Sequence, residues 1–490
     1  MKAFNILAAS TVAFGFALGA GAADAKSFKR GVSENEFQLR AQIQPISPGV
    51  SWYYNWGNAA GKGYNNEIIN FEDMEYIPMC WGNYSADAIR EYCKAHPNTK
   101  YLLGFNEPNF KAQANMTPAE AAERWPEVQA LAKELGLQLV APALNYSPDA
   151  PYQNPLTWMD EFVKLVGTDA FDYTAIHNYG GLGVMKTLAG QFHDKYGKPV
   201  WVTEFCYWPG GAGNVYVAPS TQIASMIETV EWLETTPWIY RYAWFKCVGH
   251  HDSSNRPNYG LEISATGQNM RELSPQGWVY TYMSTFDMDK YYVPEELVAA
   301  SDYIASKGLS LAKGENASCP SPIEISQFSS GAYCDYLFEV PTAGTYYMYL
   351  TVSGQGEPVR FDPKLGFYAV SEDGEKGAAL CEPKQFAISG DDKQYTKVMF
   401  ELSLPAGKQR IRMEDVNPYA PSGIHIASLM LSESAGIDGV SVDTDNSADA
   451  IINVYNLSGA VVRANVVRAN ATEGLAPGFY IVGGEKVLVR

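Results

Sequence analysis

Short apolar runs alternate with helix-like segments from Lys29 to about Phe286. Each run is four to seven residues long and most are rich in aromatic residues, as expected for strands buried on both faces. The eight runs cover residues 29–32, 50–56, 76–81, 101–105, 138–143, 173–177, 200–205 and 240–245. Eight such alternations in about 260 residues match a TIM or (β/α)8 barrel, an α/β fold that typically needs ~250 residues.

Helix start and stop signals fall between these runs. Thr117 and Glu120 have the spacing of a capping box, and Gly136 is a stop signal after the same helix. Ser85 and Ser274 are placed to cap two further helices. An open, doubly wound sheet is the alternative, but no Gly-x-Gly-x-x-Gly follows the first run.

After about residue 293 the pattern changes to strands separated by turns. Residues 344–352 and 402–413 both show a turn and a strand, which predicts a β-sandwich. A last unit carries the acidic stretch 443–449 and three short strand-like runs. The predicted divisions are a signal peptide at 1–25, the barrel at 26–288, the sandwich at 289–433 and a small C-terminal β domain at 434–490.

The first 25 residues have the order of a secretory signal. Lys2 supplies the positive end, residues 4–20 are uncharged and apolar, and Ala23 and Ala25 form the cleavage pattern. A membrane anchor is the alternative, but the stretch is rich in Gly and Ala and ends at a cleavage site. We therefore expect a secreted or cell-surface bacterial protein without a transmembrane segment.

Composition narrows the classes of partner. A formal charge of -18 repels phosphate backbones, so nucleic acid is not an expected partner. The 32 Tyr and 11 Trp supply many flat rings of the kind that bind neutral sugars. The seven Cys include no Cys-x-x-Cys pair, which argues against zinc and favours buried thiols, although Cys319 and Cys334 could pair.

Two carboxylates end buried-looking runs: Glu107 follows the fourth and Glu204 lies in the seventh. The carboxyl ends of barrel strands meet at one mouth, so these side chains can face each other. Glycoside cleavage needs such a pair, one group to donate a proton and one to attack or stabilise the sugar. Asn106 could then bind the sugar 2-hydroxyl. A single Glu after a strand is more often a solvated surface charge, so the pairing carries the hypothesis.

Further residues lie at or near strand ends and form a candidate glucan trough. By parity Trp52, Tyr54 and Trp56 share one strand face. The predicted substrate-binding residues, besides Asn106, are Trp52, Tyr54, Asn55, Trp81, Asn145, His177, Tyr179, Trp208 and Trp244. The alternative for each aromatic ring is the barrel core. His177 could orient the nucleophile or simply satisfy a buried hydrogen bond.

Five ordered motifs resemble glycoside hydrolase family 128. They are Gly-Phe-Asn-Glu-Pro-Asn at 104–109, Val-Thr-Glu-Phe at 202–205, Ser-Trp-Tyr-Tyr-Asn-Trp at 51–56, Tyr-Ile-Pro-Met-Cys-Trp at 76–81 and Tyr-Ala-Trp-Phe at 242–245. The resemblance implies a retaining β-1,3-glucanase on a TIM barrel, with Glu107 as acid/base and Glu204 as nucleophile. It departs most from the family at 246–259, where His250, His251 and Asp252 stand together. Adjacent histidines point apart on most backbones, so no metal is expected.

The later units carry weaker resemblances. Val-Pro-Thr-Ala-Gly-Thr-Tyr-Tyr at 340–347 and Leu-Pro-Ala-Gly-Lys-Gln-Arg-Ile-Arg at 404–412 resemble a family 6 carbohydrate-binding module. This implies either glycan binding or a purely structural sandwich. The strings at 454–463 and 474–482 are similar to C-terminal sorting domains of bacterial type IX secretion, which implies a secretion machinery as partner. The alternative is a small terminal sandwich with no sorting role.

The sequence thus predicts a secreted, endo-acting β-1,3-glucanase that needs no cofactor. Two alternatives stay open: another barrel glycanase that cleaves β-1,4 or mixed-linkage chains, and a surface glycan-binding protein without activity.

Overall fold

A computed structural model of the chain describes most of the sequence. The predicted signal peptide 1–25 and the acidic stretch 443–449 lie outside the described residues. The described ranges are 26–37, 39–62, 74–209, 215–264, 271–354, 362–388, 390–418, 423–435, 451–456, 461–482 and 485–489.

Eight parallel strands form the first sheet, in the order β3-β2-β1-β8-β7-β6-β5-β4. The sheet closes on itself, because Met79, just after β3, makes a parallel bridge to Leu103 in β4. This closed parallel sheet with helices outside it is a (β/α)8 barrel, as predicted. The strands are β1 Arg30–Ser33, β2 Trp52–Tyr54, β3 Glu75–Tyr76, β4 Tyr101–Leu103, β5 Gln138–Leu144, β6 Tyr173–Asn178, β7 Val200–Phe205 and β8 Ile239–Phe245.

Six helices in the described part of the chain surround the barrel, and the expected caps begin three of them. Ser85 and Ser274 each accept a backbone N–H of the first helical turn. Thr117 and Glu120 make both halves of the capping box, and Gly136 ends that helix in the left-handed conformation (φ 68°). Among the described residues, the connections after β1 and β2 contain only the short 3-10 helix Arg40–Gln42. The helices are α1 Ala86–Ala95, α2 Pro118–Leu135, α3 Pro155–Val166, α4 Gly181–Tyr196, α5 Pro219–Thr235 and α6 Pro275–Tyr282.

Aromatic side chains fill the inside of the barrel. Trp52 and Tyr54 point inward from β2, and Trp56 continues the same column toward the carboxyl ends of the strands. At the other end, the Arg241 guanidinium lies 4.8 Å from the Tyr101 ring centroid and 5.4 Å from that of Trp201, within cation–π range. The interior is therefore a packed aromatic core, and the column of Trp52, Tyr54 and Trp56 leads from it to the mouth at the carboxyl ends of the strands.

Arg30 ties the first strand to the last barrel helix. Its guanidinium is buried, pairs with Glu234 in α5 at 3.2 Å and donates to the Tyr242 hydroxyl at 3.1 Å. Its other N–H groups donate to the carbonyl oxygens of Tyr280, Met283 and Ser284, at the end of α6. Because a buried cation must be paired and hydrogen-bonded, these contacts hold the ends of the barrel sequence together.

A short antiparallel pair lies between β8 and α6, and an antiparallel β domain follows the barrel. In the sheet of this domain seven strands follow the order β16-β15-β19-β13-β20-β14-β18. The strands β11, β12 and β17 each pair with one member of this order without being part of it. Phe367 and Phe400 belong to strands near opposite ends of this order, yet their rings lie 5.0 Å apart. The sheet therefore folds over a shared core. The strands are β9 Glu262–Ser264, β10 Arg271–Leu273, β11 Leu297–Ala299, β12 Ala305–Lys313, β13 Ile323–Val340, β14 Gly344–Gly354, β15 Lys364–Val370, β16 Lys376–Ala379, β17 Lys384–Gln385, β18 Thr396–Leu404, β19 Gly407–Asp415 and β20 Ile424–Ser432.

The C-terminal unit contains a four-stranded antiparallel sheet in the order β22-β21-β23-β24. Its strands are β21 Ile451–Asn456, β22 Val461–Val467, β23 Gly478–Val482 and β24 Glu485–Val489. No helix in the described part of the chain is long and apolar enough to cross a membrane.

The barrel and the antiparallel domain are in direct contact. Glu231 in α5 accepts hydrogen bonds from the backbone N–H of Ser306 at 3.2 Å and from its hydroxyl at 2.7 Å. Lys313 lies 4.6 Å from the ring centroid of Trp278 in α6. All seven cysteines are free thiols, so Cys319 and Cys334 are not paired.

The Arg30 network leads to a stability prediction. Arg30→Met removes the cation paired with the buried Glu234 and the donor of three carbonyl groups, which should cost about 3–5 kcal/mol. The measurement is the urea midpoint followed by tryptophan fluorescence, which reports on the barrel alone because all 11 Trp lie between residues 52 and 278. The control is Arg90→Met, which removes an exposed pair with Glu134 and should leave the midpoint unchanged. Equal midpoints for the two variants would contradict the role given to Arg30.

Candidate active site

Glu107 and Glu204 lie side by side at the carboxyl-terminal mouth of the barrel. Glu107 comes just after β4, where Asn106 makes a parallel bridge to Ala143 in β5, and Glu204 lies in β7. An oxygen of each carboxyl group lies within 4.8 Å of the other. Both residues are nearly buried, with 6% and 5% of their surface exposed. Two carboxyl groups so close repel each other when both are ionised, so their neighbours decide which group holds a proton.

His177, from β6, stands between the two carboxyl groups. Its Nδ1 lies 2.9 Å from Oε1 of Glu107 and 3.4 Å from Oε2 of Glu204. Its Nε2 lies 2.9 Å from the hydroxyl of Thr203, the residue before Glu204. The ring is fully buried, so both nitrogens are held by protein groups.

Three further donors converge on Glu204. Its Oε1 accepts a hydrogen bond from the Trp56 indole N–H at 2.8 Å, and the Tyr54 hydroxyl shares its proton between this oxygen at 3.2 Å and the Thr203 carbonyl oxygen at 3.0 Å. Its Oε2 accepts one from the Tyr179 hydroxyl at 2.5 Å. Glu107 has a different environment, since it is contacted by His177 and by the Asn145 amide at 3.4 Å. Hydrogen-bond donors to Glu204 therefore favour its ionised form, while Glu107 contacts one titratable ring and one amide.

The pKa values of this cluster are shifted by burial and by charge. Burial raises the pKa of Glu204; His177 lowers it, the charge of Glu107 raises it, and hydrogen bonds from Tyr179 and Trp56 lower it, with a net increase. For His177, burial acts to lower the pKa, but the charges of Glu204 and Glu107 outweigh it and the pKa is raised. Burial also raises the pKa values of Tyr54 and Tyr179, so both phenols stay neutral donors.

Two residues of the site have a left-handed backbone. Glu107 has φ 41° and Trp56 has φ 58°, a region that non-glycine residues rarely occupy. Such conformations cost of order 1–3 kcal/mol each and persist where surrounding contacts hold them. Here the conformation places one carboxyl group and one indole N–H at the mouth.

Asn106 presents a free acceptor beside Glu107. Its Nδ2 donates to Gln113 at 3.3 Å, and this bond sets the orientation of the amide. Its buried Oδ1 has no hydrogen-bond partner within the described structure. An unsatisfied buried acceptor next to a carboxyl pair is suited to receive a hydroxyl of a bound ligand.

Half-buried aromatic rings form a wall on the Glu204 side of the mouth. Phe245 packs against Trp56, Tyr179 and Tyr259, with centroid distances of 6.0, 5.6 and 5.8 Å. Trp208 then stacks on Tyr259 at 5.7 Å. Rings with one exposed face can cover the C–H face of a sugar.

Two of the predicted substrate-binding residues, Trp52 and Trp244, do not lie at the mouth of the barrel. Trp52 is fully buried low in the barrel, where its indole N–H donates to the carbonyl of Lys29, and Trp244 is buried against Phe205. Neither ring can reach a saccharide, which corrects the prediction that Trp52 and Trp244 bind substrate. The parity of β2 correctly placed Trp52 inside the barrel, but its ring points to the packed end of the interior. Trp244 points outward from β8, toward the helices.

The other predicted residues lie near the mouth in different roles. Tyr54 is buried and contacts Glu204 through its hydroxyl, so it is not a stacking platform. Asn55 accepts hydrogen bonds from Gly57 and Tyr76 and orders the loop after β2. Trp81 is half-buried and packs against the interior cluster. The structure brings Asn106, Asn145, His177, Tyr179 and Trp208 to the same mouth.

Thr203, Phe245 and Tyr259 were absent from the predicted site, and Trp56 was predicted only to share the strand face of Trp52 and Tyr54. Trp56 contacts Glu204 and Thr203 contacts His177; both belong to the motifs at 51–56 and 202–205, so their positions were a usable signal. Phe245 also ended a quoted motif. Tyr259 arrives from the long connection after β8, and no local pattern marks it.

The cluster of Glu107, His177 and Glu204 is tight enough to hold a metal ion. However, both oxygens of Glu204 already accept hydrogen bonds from Trp56, Tyr54 and Tyr179, and a cation would have to displace these donors. The arrangement therefore fits an anionic carboxylate better than a metal ligand. His250 and His251 point to different partners, Arg256 and Asp252, as expected for adjacent histidines.

A buried carboxyl pair at the carboxyl-terminal mouth of a (β/α)8 barrel, flanked by aromatic rings, defines the class of glycoside hydrolases. The particular family follows from the sequence. The chain belongs to the glycosyl hydrolase catalytic core family, whose model matches residues 31–280, about half of the chain.

Relatives match about half of the chain. One solved structure, a family 128 subgroup II endo-β-1,3-glucanase from Pseudomonas viridiflava, is 32% identical, with 52% of this chain and 98% of that chain covered and a TM-score of 0.45. Another, a subgroup I endo-β-1,3-glucanase from Amycolatopsis mediterranei in complex with laminaritriose, is 26% identical, with 52% and 98% covered and a TM-score of 0.40. Alkali-sensitive linkage protein 1 of Schizosaccharomyces pombe is 25% identical over 242 residues, and this chain spans only 41% of it.

His177 yields a prediction about the charge of Glu204. His177 lowers the pKa of Glu204, so His177→Gln should raise that pKa further. The measurement is the pH titration of the Glu204 side-chain carboxyl by carbon-13 NMR, assigned by its loss in Glu204→Gln. The control His193→Gln removes a histidine of α4 that contacts Lys198, and it should leave the titration unchanged. A fall in the Glu204 pKa in His177→Gln would contradict the electrostatic role.

Proposed function

We propose that this chain is a retaining glycoside hydrolase that cleaves β-1,3-glucan internally, with Glu107 as acid/base and Glu204 as nucleophile. One observation carries the proposal: two carboxyl groups lie with oxygens within 4.8 Å of each other but in unlike surroundings. Retaining enzymes hold their two carboxyl groups about 5–5.5 Å apart, and inverting enzymes about 6.5–9.5 Å apart. A separation of this size lies closer to the retaining arrangement than to the inverting one, which supports direct attack by one carboxylate.

The surroundings support the division of roles. Glu204 accepts hydrogen bonds from Tyr54, Trp56 and Tyr179, which stabilise the ionised form that a nucleophile needs. Glu107 instead contacts His177 and Asn145. An acid/base must change its protonation state twice in each cycle, so fewer fixed donors suit that role.

In the first step, Glu107 gives its proton to the glycosidic oxygen while Glu204 attacks the anomeric carbon. The bond to the leaving sugar breaks, and an ester bond to Glu204 forms. In the second step, Glu107 takes a proton from water, the water oxygen attacks the anomeric carbon, and the ester bond breaks. Both carboxyl groups return to their starting states, and one glycosidic bond has been hydrolysed.

The substrate class rests on two supports. The five motifs at 51–56, 76–81, 104–109, 202–205 and 242–245 resemble β-1,3-glucanases, and all lie in the barrel. The half-buried rings of Trp56, Phe245, Tyr259 and Trp208 offer apolar surface beside Glu204 for a neutral polysaccharide. A net charge of -18 agrees with a neutral substrate rather than an anionic one.

We also propose that the protein is exported. The pattern of residues 1–25 supports this, and the strings at 454–463 and 474–482 support sorting through the C-terminal unit. The antiparallel domain is a candidate glycan-binding module of the same enzyme. Sequencing the amino terminus of protein recovered from the medium tests export, and an intact Met1 would rule out signal cleavage.

Replacing either carboxyl group should stop hydrolysis without unfolding the chain. Glu204→Gln should abolish activity on laminarin, and Glu107→Gln should lower it by about 10²- to 10⁴-fold, because one loses the nucleophile and the other the proton donor. Reducing ends are measured on laminarin, β-1,4-glucan and mixed-linkage glucan. The control Glu123→Gln makes the same change on the exposed face of α2 and should keep full activity. Unchanged turnover in either site variant would refute its role, and preference for another glucan would refute the linkage.

The stereochemical course is a separate prediction. A retaining enzyme releases the β-anomer first, because two inversions restore the configuration. Proton NMR during the first minutes of laminari-oligosaccharide hydrolysis should show the β-anomer before mutarotation. Initial release of the α-anomer would rule out Glu204 as a covalent nucleophile, and product lengths in the same reaction distinguish internal from terminal cleavage.

A further inference from the structure

Asn109 lies two residues after Glu107, in the connection between β4 and α2, and only 4% of its surface is exposed. Its Nδ2 donates to the carbonyl oxygen of Asn145 at 2.7 Å and to that of Tyr152 at 3.2 Å. Both acceptors belong to the connection between β5 and α3. One buried amide therefore joins two neighbouring loops at the mouth of the barrel.

The residue held by Asn109 is the one that contacts the acid/base. The backbone carbonyl of Asn145 binds Asn109, and its side-chain Nδ2 donates to Oε1 of Glu107 at 3.4 Å. Its Oδ1 accepts the backbone N–H of Tyr146 at 2.8 Å, which fixes the orientation of the amide. In addition, the Ser147 hydroxyl donates to the Asn109 carbonyl at 3.0 Å. A closed path therefore runs along the backbone from Glu107 to Asn109, through a hydrogen bond to Asn145, and through a second hydrogen bond back to Glu107.

We propose that Asn109 is a positioning residue for proton transfer by Glu107, and that it acts through Asn145. The proposal rests on the proposed function. Glu107 has a left-handed backbone (φ 41°), so neighbouring contacts must hold it in place. Only a side chain with two N–H donors of this length binds both carbonyls. Aspartate has the same shape, but its carboxylate would face two carbonyl oxygens and repel them.

The chemical consequence is confined to the acid step. Proton transfer requires a heavy-atom distance of about 2.6–3.2 Å, and a 1 Å displacement can cost about 10²-fold in rate. Attack by Glu204 does not depend on Asn109, because the donors to Glu204 come from β2 and β6. A substrate whose leaving group needs no proton should therefore tolerate the loss of Asn109.

The test compares two leaving groups in the full-length chain. For Asn109→Ala, kcat/KM on laminari-oligosaccharide should fall by about 10- to 100-fold, whereas kcat/KM on 2,4-dinitrophenyl β-laminaribioside should change by less than about 3-fold. The value of kcat/KM reports on the first step. In that step the natural leaving group requires the proton of Glu107, whereas the dinitrophenyl leaving group does not. Equal loss on both substrates overturns the proposal, since it would indicate a general distortion of the site.

Asn145→Ala keeps the backbone carbonyl that Asn109 binds, so it tests the same path with little risk to folding. It should reproduce the selective loss, and the double variant should lose no more than either single variant. Additive losses, or an Asn145→Ala variant with full activity, overturn the proposal. The matched control is Asn154→Ala, in the same connection, which removes only the cap of α3 and should leave both constants unchanged. If the unaltered chain cleaves neither substrate, the proposed function itself fails.

Discussion

Burying two carboxyl groups within 4.8 Å of each other is the constraint around which the mouth of this barrel is organised. Two buried negative charges at that distance are strongly unfavourable unless donors and a cation compensate them. His177 lies between the two groups, and its raised pKa shows that the pair favours its charged form. The charges of His177 and Glu204 therefore depend on each other, and both groups are held within one three-residue cluster with Glu107.

The barrel supplies this compensation from several strands at once. Tyr54 and Trp56 come from β2 and the loop after it, His177 and Tyr179 from β6 and its end, and Asn145 follows β5. No single segment could provide donors from so many directions. A closed parallel sheet does so because the carboxyl ends of all its strands meet at one rim. The donor side chains cannot move down into the barrel, because the interior below them is packed with aromatic rings.

The sequence was informative where the signal is local or periodic. Apolar runs predicted all eight barrel strands, and the Thr117 box and the Ser85 and Ser274 caps predicted helix starts. Strand ends also indicated that Glu107 and Glu204 would share a mouth. Depth along the barrel axis was not predictable, because Trp52 and Trp56 have the same parity but only Trp56 reaches Glu204. Contacts between loops were also invisible, since Tyr259 and Asn109 meet their partners through tertiary structure alone.

The Arg30 network has a consequence for biosynthesis. The acceptors of this guanidinium at the end of α6 follow it by about 250 residues. While the ribosome is still translating α5, the first strand cannot be buried in the nascent chain without leaving cationic N–H groups unpaired. The buried contacts of the first strand can therefore be completed only after residue 284 has been synthesised, so the barrel closes late in the production of the chain.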